Sequence, residues 1–339
     1  MSDTRPPTQA AQTSRRGSRP PPHTPLATSL GRAASRPTRI PWRGWKQVMR
    51  RVLREVASDR ISLSASGCAF WATLSLFPAI SMMISLYGLV FDPQTVEPQL
   101  QTIRHLLPAP AFAMIADRVR VLVSHPSSTL GVSLLVSTAV ALWSASTGTK
   151  SLLSALNLAY EEQEARSLLR FQAIGLLMTL GAIIGGILGL AILLLLPAAI
   201  SFFGLSAHTQ GLVRAGSFAA LMLFVLLSLS VLYRFGPSRR VARWHWVTPG
   251  SLVATVLWFV ASLLFSFYVQ HLTSFSATYG PLGTVAGIML WFWVTAYAVL
   301  LGAELNAELE LQTAEDTTEG GPRPMGERGA FVADHVAED

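Results

Sequence analysis

The chain has 339 residues, of which 51% are hydrophobic and only 13% are charged, and its formal net charge is +7. A soluble domain carries about 25% charged residues, so the composition excludes an ordinary soluble domain. Residues 171–213 and 244–303 contain no Asp, Glu, Lys or Arg. Each run, as helix, can cross a hydrocarbon core of about 30 Å twice. We therefore predict a polytopic membrane protein.

The N-terminal region divides into two segments. Residues 1–40 are rich in Pro, Ser, Thr and Arg, a composition that predicts a disordered basic tail. Residues 41–63 place tryptophan and aliphatic side chains at helical spacing between arginines. This pattern predicts an amphipathic helix in the membrane interface, against anionic lipid. A helix packed on the protein's own loops is the alternative, and nucleic-acid binding is not expected from basic charge alone.

A membrane domain over residues 64–303 follows. The predicted spans are Ser64–Phe91, Ser128–Thr147, Phe171–Pro197, Leu212–Tyr233, Val247–Val269 and Leu282–Ala303. Pro78 predicts a kink in the first span, and Tyr279, Gly280 and Pro281 form an entry turn to the sixth. A short amphipathic helix is expected in the external segment Asp92–Ser127. The fold class is all-α, a bundle of six transmembrane helices with a basic amphipathic N-terminal helix.

Small and hydroxyl residues mark two of the spans. Gly181, Gly185 and Gly189 recur every four residues in the third span, which predicts close helix packing, either within the chain or in a homo-oligomer. A Ser/Thr face follows the second span and its extension. It comprises Ser133, Ser137, Ser144, Thr147, Ser151 and Ser154. Such a face either packs against helices or lines a hydrated cavity.

Glutamates reappear where the sixth span ends. Glu304, Asn306 and Glu308 open an acidic tail, residues 304–339, that we place in the cytoplasm. Negative charge is unfavourable at a helix carboxyl end, so a compensating partner is expected. The sequence predicts that Glu304 or Glu308 pairs with an arginine of the preceding cytoplasmic loop, which carries Arg234, Arg239, Arg240 and Arg243. Interfacial solvation and proton or ion coupling are the alternatives.

The distribution of basic residues predicts the orientation. Of the 26 Lys and Arg residues, 22 lie in the N-terminal region, the C-terminal tail and the two connections on the same side of the membrane. Positive charge is retained on the cytoplasmic side. Both termini are therefore expected in the cytoplasm.

Catalytic chemistry has little support in the sequence. The seven histidines are scattered, Cys68 is the single cysteine, and no pair has metal-ligand spacing. Glu161, Glu162 and Glu164 have the pattern of a solvated helix end. We expect no metal, no cofactor and no catalytic residues, and the sequence favours a non-enzymatic role.

Three stretches resemble the YihY/BrkB family, of the UPF0761 or ribonuclease-BN-like type. They are "SASGCAFWATLSLFPAISMM", "ALWSASTGTKSLLSALNLAYEE" and "TSFSATYGPLGTVAGIMLWFWVTAYAVLLGAELNAELE". The first departs from the family at Ala69, Phe70 and Trp71, where tyrosine is frequent. The resemblance implies a six-span bacterial inner-membrane protein, associated in some pathogens with serum resistance.

The expected function is movement or gating of a lipid-related or small-molecule substrate. The candidate residues are Pro78, Ser137, Ser144, Thr147, Tyr279, Gly280, Pro281, Glu304, Asn306 and Glu308. The expected partner is membrane lipid. A non-transporting organiser that binds partners through its oppositely charged tails is the alternative, and the ribonuclease activity implied by the family label is less favoured.

Overall fold

The computed structural model describes residues 30–90, 127–202, 207–271 and 281–337. The predicted external helix over Asp92–Ser127, the residues Tyr279 and Gly280, and most of the N-terminal tail lie outside these residues. Within them the chain is helical, and the only bridge between extended segments joins Ala242 and Thr318.

Seven helices longer than one turn form the described architecture. They are α1 Trp42–Ser58, α2 Ile61–Val90, α3 Ser127–Ala159, α4 Leu168–Phe202, α5 Ala207–Phe235, α6 Trp244–His271 and α7 Pro281–Leu311. A 3-10 turn, Pro37–Arg39, and a short helix α8, Phe331–Asp334, lie near the chain ends. Helices α2 to α7 coincide with the six predicted spans, and α1 with the predicted amphipathic helix. The all-α membrane bundle is confirmed.

Five of the described helices are long and apolar enough to cross a membrane, namely α2, α4, α5, α6 and α7. The remaining long helix, α3, carries the hydroxyl residues. Pro78 lies inside α2, and α7 begins at Pro281 as the turn chemistry predicted. Helix α7 continues past the predicted end at Ala303 to Leu311, so the glutamates lie on the helix itself.

The six long helices form a closed ring. Each packs against its neighbour in chain order, and α7 returns to pack against α2. Helix α1 packs on α7. The outer face of α4 exposes aliphatic side chains such as Leu177 and Ile184. Hydrocarbon is as apolar as these side chains, so the outer face is suited to lipid.

The tightest helix crossing joins α6 and α7 at two glycines. A Cβ on Gly250 would lie 2.0 Å from the Gly302 carbonyl oxygen, and a Cβ on Gly302 would lie 2.5 Å from the Tyr233 hydroxyl. The Tyr233 hydroxyl donates to the Val299 carbonyl at 2.6 Å. Glycine at both positions therefore allows α5, α6 and α7 to meet.

The glycines of α4 have different environments. A Cβ on Gly185 would lie 3.2 Å from the Phe224 ring of α5, and one on Gly189 would lie 3.7 Å from the Leu221 side chain and the Phe224 ring. A Cβ on Gly181 would meet nothing within 4 Å. Two of the three glycines thus accommodate a neighbour from the same chain, and an oligomer contact at Gly181 stays a prediction.

Both terminal segments fold onto the helix ends that lie beside α1. Ala34 and Ile40 are buried, so residues before the predicted boundary at residue 40 belong to the folded part of the chain. The Gln312 side chain donates to the Leu30 carbonyl at 2.8 Å, and the Thr313 hydroxyl donates to the Ala34 carbonyl at 2.7 Å. These bonds order a segment that its composition alone predicted to be disordered.

The acidic tail is also folded. The Arg328 guanidinium is buried and donates to the carbonyls of Ala314, Glu315, Arg323 and Ala333. The Asp334 carboxylate accepts from the backbone N–H groups of residues 326, 328 and 329. Internal hydrogen bonds of this kind satisfy the polar groups of a compact cap without regular secondary structure.

Candidate functional site

Buried carboxylates gather where α1, the carboxyl end of α3, the α5–α6 loop and the carboxyl end of α7 meet; we call this region the charged end. Glu304 is 2% exposed, Glu308 is 4% exposed and Glu310 is fully buried. A solvated helix end would leave them in water, so interfacial solvation does not describe these residues. A buried charge requires a partner or a proton.

Glu308 pairs with Arg51 of α1. The Arg51 Nε donates to the Glu308 Oε2 at 2.5 Å, and Arg51 Nη2 donates to the Glu308 backbone carbonyl at 3.0 Å. Both side chains are almost entirely buried. This two-point contact fixes α1 to α7.

Glu310 pairs with Arg239 of the α5–α6 loop. Two guanidinium nitrogens reach the two carboxylate oxygens at 2.6 and 3.1 Å, and the Thr317 hydroxyl donates to the same carboxylate at 2.6 Å. The guanidinium also lies 4.3 Å from the centre of the buried Tyr160 ring. Burial alone would lower the pKa of Arg239, but the Glu310 carboxylate outweighs burial and raises it.

The predicted pairing of Glu304 or Glu308 with the α5–α6 loop is therefore wrong in its partners. Within the described residues Arg239 of the loop binds Glu310, and Arg234, in the last turn of α5, binds Glu319. The cause is the extra length of α7, which carries Glu310 rather than Glu308 to the loop. An ion pair between the α5–α6 loop and the end of α7 is present, but the glutamate that forms it is Glu310.

Glu304 has no basic partner among the described residues. Its Oε1 is buried and receives no hydrogen bond from an N–H or hydroxyl group. The group within hydrogen-bonding reach is the carboxyl of Asp59, in the turn between α1 and α2. Burial raises the pKa of Asp59 most, the hydrogen bond with Glu304 opposes this shift, and Glu55 adds to it.

Asn306 is a packing residue at the α6–α7 crossing. Its Oδ1 accepts from the Gly250 N–H at 2.7 Å, and its Nδ2 donates to the Val247 carbonyl at 3.1 Å. Pro249 interrupts the hydrogen bonding of α6 between these two positions. The side-chain amide thus satisfies backbone groups beside the interruption.

Of the hydroxyl residues of α3, Thr147 bonds within its own helix, whereas Ser151 contacts α2. Thr147 donates to the carbonyl of Trp143 in its own helix at 3.0 Å, and Ser144 is half-buried. Ser151 receives the Cys68 thiol of α2 at 3.6 Å. The side chain of Ser137 lies outside the described residues. Thr147 and Ser151 thus make contacts within and between helices, and a hydrated face stays a prediction.

Sequence reasoning missed Asp59, Arg51 and Tyr160. Arg51 could have been found, because it shares a helical face with the apolar Val48 and Val52. Asp59 and Tyr160 carry no such signal, since each lies just beyond a helix end. In the part of the chain that the structure describes, no three His, Cys, Asp or Glu side chains are placed to hold a metal ion.

The family described as "Virulence factor BrkB" matches residues 52–325. The chain belongs to this BrkB family. The match begins inside α1 and ends in the folded tail, so it includes Asp59 and all three buried glutamates of α7. Arg51 lies one residue before its start. The BrkB-family chain is a membrane protein: five of its described helices are long and apolar enough to cross a membrane, and several of its relatives are named membrane proteins.

Relatives of this BrkB-family protein occur in several bacteria. A "Putative ribonuclease-like protein YfkH" from Bacillus subtilis is 30% identical over 71% of this chain and 87% of its own length. A "UPF0761 membrane protein" from Aeromonas salmonicida is 28% identical over 74% of this chain and 84% of its own length. A similar protein from Pseudoalteromonas translucida is 23% identical over 81% of this chain and 88% of its own length. No solved structure matches the chain.

Proposed function

We propose that this protein moves or gates a lipid-related or small-molecule substrate across or within the membrane, with the charged end as its gate. The observation that carries the proposal is Glu304, a buried carboxyl without a basic partner on a membrane-spanning helix. Ionisable groups at such positions are costly and typically mark substrate or ion pathways. A purely structural helix end would carry a neutral side chain there at lower free energy.

The surroundings of Glu304 support a movable closure. Arg51 joins α1 to α7 through Glu308, one helical turn after Glu304. Helix α1 therefore has a polar attachment to α7 close to the unpaired carboxyl. Charged contacts can be exchanged between two arrangements with less repacking than an apolar core.

We also infer that α1 rests on anionic lipid. Its buried face carries Val48 and Val52, whereas Trp42 and Leu53, outside this face, are 80% and 68% exposed. Lys46 and Arg50 are exposed beside them. Anionic lipid attracts each basic residue near its surface by about 1 kcal/mol. Hydrogen exchange of α1 should slow when phosphatidylglycerol is added to phosphatidylcholine nanodiscs, and less so in a Lys46→Gln/Arg50→Gln variant.

The proposed location is the bacterial inner membrane, with both chain ends in the cytoplasm. The charged end holds the arginines of α1 and of the α5–α6 loop together with both described terminal segments. Retention of basic residues on the cytoplasmic side supports this orientation. Reporter enzymes that fold only in the periplasm, fused to either end, should be inactive.

The organiser alternative proposed that the tails bind partners. The described parts of the two tails instead hydrogen-bond to each other, through Gln312 and Thr313 on one side and residues 30–34 on the other. The contact satisfies groups that a partner would otherwise need to bind. Transport is therefore the proposal that the geometry supports better.

The test is flux in liposomes that contain the purified full chain. Fluorescent phospholipid movement between leaflets and leakage of a trapped anionic dye are the two probes. Glu304→Gln, which keeps the size of the side chain but cannot ionise, should lower flux at least about tenfold, a barrier increase of about 1.4 kcal/mol. The matched control is Glu315→Gln, at an exposed position of the tail.

Three outcomes would reject the proposal. The first is that, for both probes, wild-type flux equals that of protein-free liposomes. The second is that wild type and Glu304→Gln show equal flux. The third is hydrolysis of RNA by the pure protein without any flux, which would favour the activity named for the Bacillus relative.

A further inference from the structure

The turn between α1 and α2 brings two carboxyl groups together. Asp59 follows the last residue of α1, and its side chain lies within hydrogen-bonding reach of Glu304 on α7. A carboxylate can only accept hydrogen bonds, so two ionised groups at this separation would repel each other. A hydrogen bond between them requires one proton.

Charged side chains from three helices and their ends face this pair, and the ones that act on Asp59 and Glu304 most directly are the carboxyls of Glu55 and Glu308. Helix α1 contributes Arg51, Arg54 and Glu55, the end of α3 contributes Tyr160 and Glu161, and α7 contributes Glu308. Arg60 follows Asp59 in the chain and is exposed. Arg51 is already bound to Glu308. Among the described residues, neither the exposed Arg54 nor the exposed Arg60 forms an ion pair with Asp59 or Glu304.

Glu304 is the member that burial would keep neutral. It is 2% exposed, and its Oε1 has no donor, whereas Asp59 is half-buried. Burial in a low-dielectric environment disfavours the charged form of a carboxyl. A protonated Glu304 can donate to Asp59, which removes the repulsion and satisfies the pair.

We propose that Asp59 and Glu304 form a proton-binding site that holds one shared proton and ties the α1–α2 turn to α7. This inference rests on the proposed function for its biological meaning, because it makes the gate sensitive to protons. The site itself does not depend on transport. Binding the proton closes the contact, and losing it leaves two carboxylates that separate the turn from α7.

The direction of the pH dependence follows from the same geometry. While the site holds its proton, the hydrogen bond ties the turn to α7; once the proton leaves, two adjacent carboxylates repel each other, so this stabilisation is present at low pH and is lost as the pH rises. The turn should therefore loosen in alkaline solution rather than in acid.

Infrared spectroscopy of the full chain in nanodiscs tests the site directly. A protonated carboxyl absorbs separately from a carboxylate. Wild type should show a protonated-carboxyl band at neutral pH that disappears in alkaline solution. Glu304→Gln should lack this band, whereas Glu315→Gln should keep it.

Hydrogen exchange of the segment 55–66 gives a second readout. In wild type, exchange should accelerate over the pH range in which the band disappears, after correction for the intrinsic rate. In Glu304→Gln the amide donates permanently to Asp59, so exchange should stay at least about tenfold slower than in wild type at alkaline pH. Asp59→Asn provides the same test from the other side if Glu304→Gln does not fold.

Each result decides the proposal. No protonated band at neutral pH, an unchanged band in Glu304→Gln, or equal exchange in wild type and both variants would overturn it. Lost flux in Glu304→Gln with an unchanged band would reject the proton site and leave the transport proposal standing. A confirmed band without flux would do the reverse.

Discussion

Replacement of Arg239 by methionine removes one side of a fully buried ion pair in the charged end. Both side chains of the Arg239–Glu310 pair are fully buried. Arg239→Met removes two guanidinium contacts and leaves Glu310 with the Thr317 hydroxyl as its remaining observed donor. Breaking a buried ion pair on one side costs about 3–5 kcal/mol, because an uncompensated charge stays buried. We expect a loss of unfolding free energy in this range.

Cys68 provides the assay. It is the single cysteine of the chain and is buried in α2. A thiol-reactive dye should therefore label it only when the bundle opens, and labelling at increasing denaturant concentration gives the unfolding midpoint. The matched control is Arg170→Met, at an exposed position near the start of α4, which should change stability by no more than about 0.5 kcal/mol.

The double variant Arg239→Met/Glu310→Leu distinguishes the loss of the ion pair from the cost of leaving one buried charge without a partner. With both charges removed, no uncompensated charge remains, so stability should recover by at least about 2 kcal/mol relative to Arg239→Met. Additive losses from the two single changes would refute the reasoning. A loss below about 1 kcal/mol for Arg239→Met would refute it as well, since the carboxylate would then be solvated.

Two further predictions concern the helix crossing and the tail. Gly250→Ala places a Cβ against the Gly302 carbonyl and should lower the free energy of unfolding by about 1–3 kcal/mol, measured by dye labelling. Gly181→Ala, in open space, should leave stability unchanged or raise it; equal effects of the two changes would contradict the close approach of α6 and α7 at Gly250. Burial alone would raise the pKa of Asp316, but hydrogen bonds from Thr318 and the tail backbone lower it. Its contribution is therefore present above the unfolded value of about 3.9 and is lost as the pH falls through the lowered one, so proteolysis of the tail should accelerate in acid. In Asp316→Asn the tail should already be cleaved faster at neutral pH, and unchanged cleavage would contradict its role.

The positions of the long helices could be predicted because hydropathy is a local property. The charge-free runs, which cover most of α4, all of α6 and most of α7, identified lipid as the solvent, and Pro281 marked the start of α7. The ends of the helices were harder to predict from the sequence. Helix α7 passes through Glu304, Glu308 and Glu310 without ending, because partners elsewhere in the chain compensate two of these charges.

The candidate site could be predicted in part. Glu304, Asn306 and Glu308 were identified as unusual, and the structure buries all three. Their partners could not be derived, because Arg51 and Glu308 are 257 positions apart and no spacing rule relates them. Asn306 was placed in the gate, yet its observed hydrogen bonds are to the backbone of α6.

The charged contacts also set an order of assembly. Arg51, Arg234 and Arg239 are synthesised well before their carboxylate partners at positions 308, 319 and 310. During translation these guanidinium groups remain without those partners until nearly the whole described chain has left the ribosome. A message truncated before codon 308 would therefore yield a bundle with every long helix started but with three early arginines permanently deprived of their counter-charges.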